Sequence, residues 1–273
     1  MSDADRLQQY VQAWEVAVTD VVALLRGLAP EEWEAPTDLA GWNVRAVAAH
    51  LAHLEAELAG DEQDPVEVPE LDHITSLMGV YTEMGPLARR DWPTEEIVDE
   101  LESSAAKRLA ELRAAMPTDP KGSPPITPGG IGWSWETLLS NRPLDVWMHE
   151  QDIRRAVDRP GGLDTLPARH VLGVFLRGLP FVVGKRVGPP AGTTVVLDVT
   201  GPIPAQTAVV MDSEGRGNRL QGNPDDPTVT LRMDLESYVI LSGGRRDPSD
   251  VPVEIEGDHE LGALIVSALA VTP

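Results

Sequence analysis

Apolar residues recur every three or four positions through the first part of the chain. Between residues 4 and 29 the stripe is Leu7, Val11, Trp14, Val18, Val21, Val22 and Leu25, ending at Gly27 and Pro30, which predicts a first helix. Residues 37–43 read as a turn. Asn43 is placed to cap a second helix, in which Val44, Val47, Ala48, Leu51, Leu54 and Leu58 keep the spacing as far as Gly60. Residues 61–75 hold no period and read as a surface connection, with a short helical piece from Ile74 to Leu87 after it. A third long helix starts near Pro93 and carries Ile97, Leu101, Ala105, Leu109 and Leu112 until Pro117. Residues 117–132 are too rich in proline and glycine for regular structure, and long enough to suggest a functional loop. A fourth helix is expected from Ser134 to about Val157, with Pro143 its one local interruption and residues 159–162, Arg-Pro-Gly-Gly, its stop.

Beyond residue 162 the pattern changes. Residues 165–184 read as one more helix. Residues 193–200, 206–211 and 228–233 are β-branched runs bounded by glycine and proline, the signature of strands. Helical stretches at 234–242 and 258–270 close the chain. The expected organisation is therefore an all-helical domain over 1–162 and a smaller α/β domain over 163–273.

Composition narrows the chemistry. The 273 residues are 42% hydrophobic and 24% charged, as in a globular protein whose core is built mainly from Leu, Val and Ala. A net charge of −22 with no basic run argues against nucleic acid and anionic membrane as partners, and an anionic substrate would need local arginines. There is no cysteine, so any metal must be held by His, Asp or Glu, and any thiol chemistry must use a thiol from elsewhere. The start of the chain is acidic where a signal peptide is basic, and the apolar stretches at 171–184 and 261–271 read as too short or interrupted to span a bilayer. A cytoplasmic monomer or homodimer is the expectation.

Asp145 and His149 are four apart on the fourth helix, so their side chains emerge one turn apart on one face. His50, among Val47, Leu51 and Leu54 on the second helix, points toward the bundle interior, where ligands from facing helices converge in known metal sites. Two imidazoles and a carboxylate suit zinc and leave a fourth position open. Spacing alone leaves a second reading in place, and the stronger of the two: His50 as a core histidine, with Asp145 and His149 as an intrahelical hydrogen-bonded pair. His53, Glu55 and Glu57 are alternatives to His50, on other faces of the helix or one turn away. Asp152, three after His149, and Glu150 beside it are candidates to steady the His149 ring, with a solvated helix face an equal reading for Glu150.

Two runs then carry a resemblance. Asp38-Leu-Ala-Gly-Trp-Asn-Val-Arg-Ala-Val-Ala-Ala-His50-Leu and Asp145-Val-Trp-Met-His149-Glu-Gln-Asp-Ile-Arg-Arg-Ala156 resemble the mycothiol-dependent maleylpyruvate isomerase family, a branch of the DinB-like metal-binding four-helix bundles. Val229-Thr-Leu-Arg-Met-Asp-Leu-Glu-Ser-Tyr238, Gly243-Gly-Arg-Arg-Asp247 and Gly257-Asp-His-Glu-Leu-Gly-Ala-Leu264 resemble the family's second domain. The resemblance implies an α plus α/β two-domain chain, a DinB-like bundle followed by a sterol carrier protein-like domain. It also implies a divalent metal, zinc by preference, on His50, Asp145 and His149, with Asp145 standing where the isomerase has Glu.

The family's enzymes use mycothiol, whose sulfur, deprotonated on the metal, adds to the cis double bond of maleylpyruvate, permits rotation and leaves. An S-transferase that keeps the thiol on its electrophile would share every one of these residues, and a non-catalytic regulatory member would share the fold. A functional arginine in the second domain, which the resemblance implies, falls on Arg245, with Arg246 beside it. Arg142 is a second candidate for a substrate carboxylate, and Trp42, Trp133 and Trp147 are candidate pocket walls, though tryptophan at helical spacing is more often core.

Overall fold

The computed structural model describes residues 1–272, in two compact units, Met1–Gly162 and one that begins at Leu163. In the first unit the helices are α1 (Asp3–Arg26), α2 (Val44–Leu58), α3 (Leu77–Arg89), α4 (Thr94–Ala114) and α5 (Trp135–Ala156). Side-chain caps set several starts: Ser2 accepts from the Asp5 amide, Asn43 from Ala46 and Ser134 from Thr137, each satisfying a donor that the helix itself leaves unpaired. The expected interruption at Pro143 does not occur. The residue is buried inside a continuous α5, and the packing of that helix along α1 offsets the missing amide.

Four long helices form the bundle, with α1 against α4 and α5, α2 against α4 and α5, and α3 laid on α2. Almost every residue of α2 is buried, well beyond the stripe its leucines and valines predict, because Ala48, Ala49, Ala52 and Ala56 let neighbours approach on the remaining faces. The α3 junction is electrostatic. Arg89, 2% exposed, donates through Nη2 to Glu100 Oε1 at 2.7 Å and through Nη1 to His53 Nδ1 at 3.1 Å. Burial first, and the adjacent guanidinium second, push the His53 imidazole down to about 4.

The second unit holds α6 (Leu166–Phe181), which runs into a π-helical turn at Val182–Val187, then β1 (Thr194–Thr200), β2 (Ala205–Met211), β3 (Gly217–Arg219), β4 (Val229–Asp234), α7 (Leu235–Ser242), β5 (Glu254–Gly257) and α8 (His259–Ser267). The sheet order is β3-β2-β1-β4-β5, with β1 and β4 parallel and the other pairs antiparallel. Val195 faces Val209 and Val229, and Leu197 faces Thr207 and Leu231; this buried set is the sheet's apolar side, and α6, α7 and α8 pack against the sheet. On the alternate positions Arg232 pairs with Asp198, its cross-strand neighbour, at 2.9 Å.

Two strands, β3 and β5, have no counterpart in the sequence pattern. Both are edges, three and four residues long, and Gly217-Asn-Arg and Glu254-Ile-Glu-Gly carry the polar, charged character that protects an edge. The expectation that residues 171–184 are too short to span a bilayer is corrected in one respect. The helical run Leu166–Val187, 22 residues, is long and apolar enough to cross a membrane, but half of its most apolar stretch is buried inside the protein.

Two predictions follow from packing and charge. At Gly184 a Cβ would stand 2.4 Å from the Gly217 amide nitrogen, so the π-helical turn and β3 meet backbone to backbone. Gly184→Ala should destabilise the second unit by about 1–3 kcal/mol in urea melts, whereas an unchanged midpoint would show that β3 yields freely. For His53, the folded imidazole at about 4 lies below its unfolded value of about 6.5, so its contribution is complete above about pH 6.5 and is lost as the pH falls toward 4. His53→Gln should flatten the acid limb of stability against pH, and a slope identical to the wild type would refute the assignment.

Candidate metal centre

His50 comes from the middle of α2, Asp145 and His149 from successive turns of α5. The structure brings the three together: His50 Nε2 lies 3.9 Å from Asp145 Oδ2, His149 Nε2 lies 3.6 Å from Asp145 Oδ1, and the imidazole centroids are 5.0 Å apart and nearly perpendicular. Among the described residues this is the one cluster of three such side chains whose donor atoms all lie within 4.8 Å of one another. Separations of 3.6 and 3.9 Å are too long for hydrogen bonds, which end near about 3.2 Å. They are close to the roughly 3.4 Å between ligands of one tetrahedral ion with bonds of about 2.0–2.2 Å. The donor set fits a divalent metal better than it fits the intrahelical hydrogen-bonded pair. The histidine side chains are 3% and 9% exposed and the Asp145 side chain 21%, so solvent reaches the cluster at the carboxylate.

The imidazoles are held differently. Asp152, fully buried, accepts from His149 Nδ1 at 3.2 Å, which places the proton there and leaves the Nε2 lone pair facing Asp145. Asp152 is tied through Arg155 Nη2 at 2.5 Å, and Arg155 Nε reaches Asp38 at 2.7 Å. The turn before α2 is thereby connected to the ligand on α5. His50 Nδ1 is buried with no hydrogen-bond partner among the described protein atoms, and its ring is fixed by packing. Trp42 lies 5.0 Å from it and 6.1 Å from His149, centroid to centroid. Burial drives the His50 imidazole well below its ordinary value against the pull of Asp145, so it is neutral and able to offer a lone pair.

Trp42 is itself locked. Its indole N–H donates to Glu83 Oε2 at 2.7 Å, and His73 Nε2 meets the same oxygen at 3.1 Å. The His73 ring rests on Gly41, where a Cβ would approach within 2.5 Å and where φ of +80° also favours glycine.

Arg142 donates from Nη1 to Asp145 Oδ2 at 3.0 Å and from Nε and Nη2 to Glu55 Oε1 at 3.1 and 2.8 Å. Burial alone would raise the Asp145 carboxyl, but its neighbours, the Arg142 guanidinium foremost, hold the group far below the usual carboxylate range. Asp145 is ionised and ready to ligate.

Other expected site residues land elsewhere. Arg142 is 1% exposed and fully engaged by Glu55 and Asp145, so it is not placed to meet a substrate carboxylate. Trp147 has no exposed surface and donates to the Gly162 carbonyl at 3.0 Å, as a core residue rather than a wall. Trp133 is half-buried in the connection just before α5. Glu150 turns to Arg154 at 2.7 Å, and burial pushes its carboxyl up to about 7. The alternatives to His50 are committed too: His53 to Arg89, Glu55 to Arg142 and Arg108, and Glu57 to Tyr81 and the Gly129 amide. Arg245, after α7, is half-buried and donates to the Gly243 carbonyl at 2.7 Å, and Arg246 is exposed. The sequence reading misses Glu55 as a buried hub, the Arg155–Asp38 pair and the Glu83–His73 pair. Glu55 leaves a trace, a lone charge on the apolar face of Leu51, Leu54 and Leu58.

Residues 14–154 match the family model described as the mycothiol maleylpyruvate isomerase N-terminal domain, and residues 170–264 match the MDMPI C-terminal domain. Among solved structures, the crystal structure of the mycothiol-dependent maleylpyruvate isomerase and that of a histidine-to-alanine mutant of it each align over 94% of this chain and 95% of their own. Each gives a TM-score of 0.54 at 17% identity, a likeness of fold. No curated protein matches the sequence. With one model spanning more than half of the chain and a second accounting for most of the rest, the chain belongs to the mycothiol maleylpyruvate isomerase family.

Proposed function

We propose that this chain is a zinc-dependent, mycothiol-dependent enzyme that isomerises a cis double bond in a small dicarboxylate of the maleylpyruvate kind. The observation that carries the reading is the donor set of His50, Asp145 and His149, within 4.8 Å of one another and set in the bundle of a family named for that reaction. Two imidazoles and one carboxylate are the ligand chemistry of catalytic zinc and leave a position for a further ligand. When bound, the metal would hold the sulfur of mycothiol as a thiolate at neutral pH, the nucleophile that reversible addition to a double bond requires.

The chain's own residues do the rest. His149 keeps its Nε2 lone pair outward because Asp152 accepts from Nδ1, and His50 stays neutral through burial. Trp42 supplies a rigid apolar wall beside both imidazoles. In a protein of charge −22 a substrate carboxylate needs a cation, and Arg245 is proposed for that role. A cytoplasmic location fits a low-molecular-weight thiol as partner.

Purified protein should carry one equivalent of zinc, and His149→Ala should lose it; a full equivalent retained in that variant on metal analysis refutes the centre. With mycothiol and maleylpyruvate, turnover to the trans isomer without thiol consumption is expected. Stoichiometric conjugate with an electrophile such as monochlorobimane, and no isomerisation, would instead mark an S-transferase. Arg245→Ala should raise KM for the dicarboxylate roughly tenfold or more, the worth of a charged hydrogen bond, with zinc content unchanged.

A further inference from the structure

One buried carboxylate gathers a side chain from each of the other three long helices. Glu55 on α2 has no exposed surface; it accepts from Trp14 Nε1 of α1 at 2.9 Å, from Arg108 Nη1 of α4 at 3.1 Å and from Arg142 of α5 at 2.8 and 3.1 Å. The remaining Arg142 nitrogen, Nη1, goes to Asp145 Oδ2 at 3.0 Å. Its fork is therefore divided between a fixed anchor and a candidate metal ligand.

We infer that Arg142, clamped by Glu55, is a positioning residue for Asp145. By taking Oδ2 it selects the carboxylate orientation in which Oδ1 faces His149 at 3.6 Å. Asp145 needs such a constraint, because its side chain is the most exposed of the donor set, at 21%, and its two histidine neighbours stand 3.6 and 3.9 Å away, beyond hydrogen-bond reach. Lysine cannot replace the arginine, since one ammonium on a flexible stem cannot hold Glu55 with two donors and Asp145 with a third in a fixed plane. A role of charge alone predicts otherwise: a cation beside the site repels a metal, so a substitution that preserves the charge would leave affinity untouched.

The inference rests on the metal reading above, and the two are tested separately. Zinc affinity is measured on the full chain by competition with a chromophoric chelator, with urea melts in parallel. Arg142→Lys and Glu55→Gln should weaken zinc binding about 10- to 100-fold, the usual cost of losing a ligand's hydrogen-bond partner. Arg108→Lys loosens the same carboxylate without touching Asp145; it should cost stability yet keep the zinc Kd within about threefold. The visible spectrum of the cobalt-substituted protein should change in Arg142→Lys and not in Arg108→Lys. Should Arg142→Lys fail to fold, Glu55→Gln decides by the same criterion. Wild-type affinity in Arg142→Lys, or an equal loss in Arg108→Lys, overturns the positioning role and leaves the metal centre standing. A wild-type chain that binds no zinc overturns both.

Discussion

The pairing of Glu55 in the centre of the bundle is the constraint on which the first unit depends. A carboxylate with no exposed surface carries a desolvation cost of several kcal/mol that only well-placed partners offset, and removing one partner typically costs about 3–5 kcal/mol. Here the partners come from α1, α4 and α5, and the group Arg108, Glu55, Arg142, Asp145 contains two positive and two negative charges. Apolar packing alone would tolerate a helix sliding or rotating by a fraction of a turn. A divided guanidinium fork with both ends committed does not, and it sits one turn from the residues that matter for chemistry.

The short segment ahead of α2 gains a physical explanation from the same view. Asp38 reaches Arg155, and through it Asp152 and His149; Gly41 makes room for His73; Trp42 packs on both imidazoles; Asn43 caps the helix that carries His50. Within six residues, then, the chain fixes the start of one ligand-bearing helix and the ring orientation of a ligand on another. A run that looks in sequence like an ordinary turn is a local organiser of the site.

What the sequence discloses follows from which interactions are local. Helix positions are readable because capping residues and apolar spacing act within a turn or two: Asn43 caps as expected, and α1, α4 and α5 end within a few residues of their glycine, proline or arginine stops. The three donors are readable from i, i+4 spacing on α5 and an inward His50 on α2, with the family motifs needed to choose between metal and structure. The fates of Arg142 and Trp147 are not readable, because both depend on bundle order: which helix faces α5 decides whether an arginine meets substrate or Glu55. Glu55 and Arg108 pair across α2 and α4, which the spacing within either helix does not disclose. The strands β3 and β5 stay hidden because edge strands are kept short and charged, which removes the alternation by which strands are recognised.

The placement of donors and supports also bears on how such a bundle drifts. The candidate ligands occupy two helices, and the residues that orient them are polar groups whose partners are fixed by charge and reach rather than by shape. Inner positions elsewhere must only remain apolar and of suitable volume, a requirement that many sequences meet. Connections such as residues 61–76 and 115–134 contribute no donor; what they add is support, His73 against Glu83 and Ser134 at the start of α5. A shared fold at 17% identity over almost the full length of both chains is a divergence that so tolerant an apolar core allows.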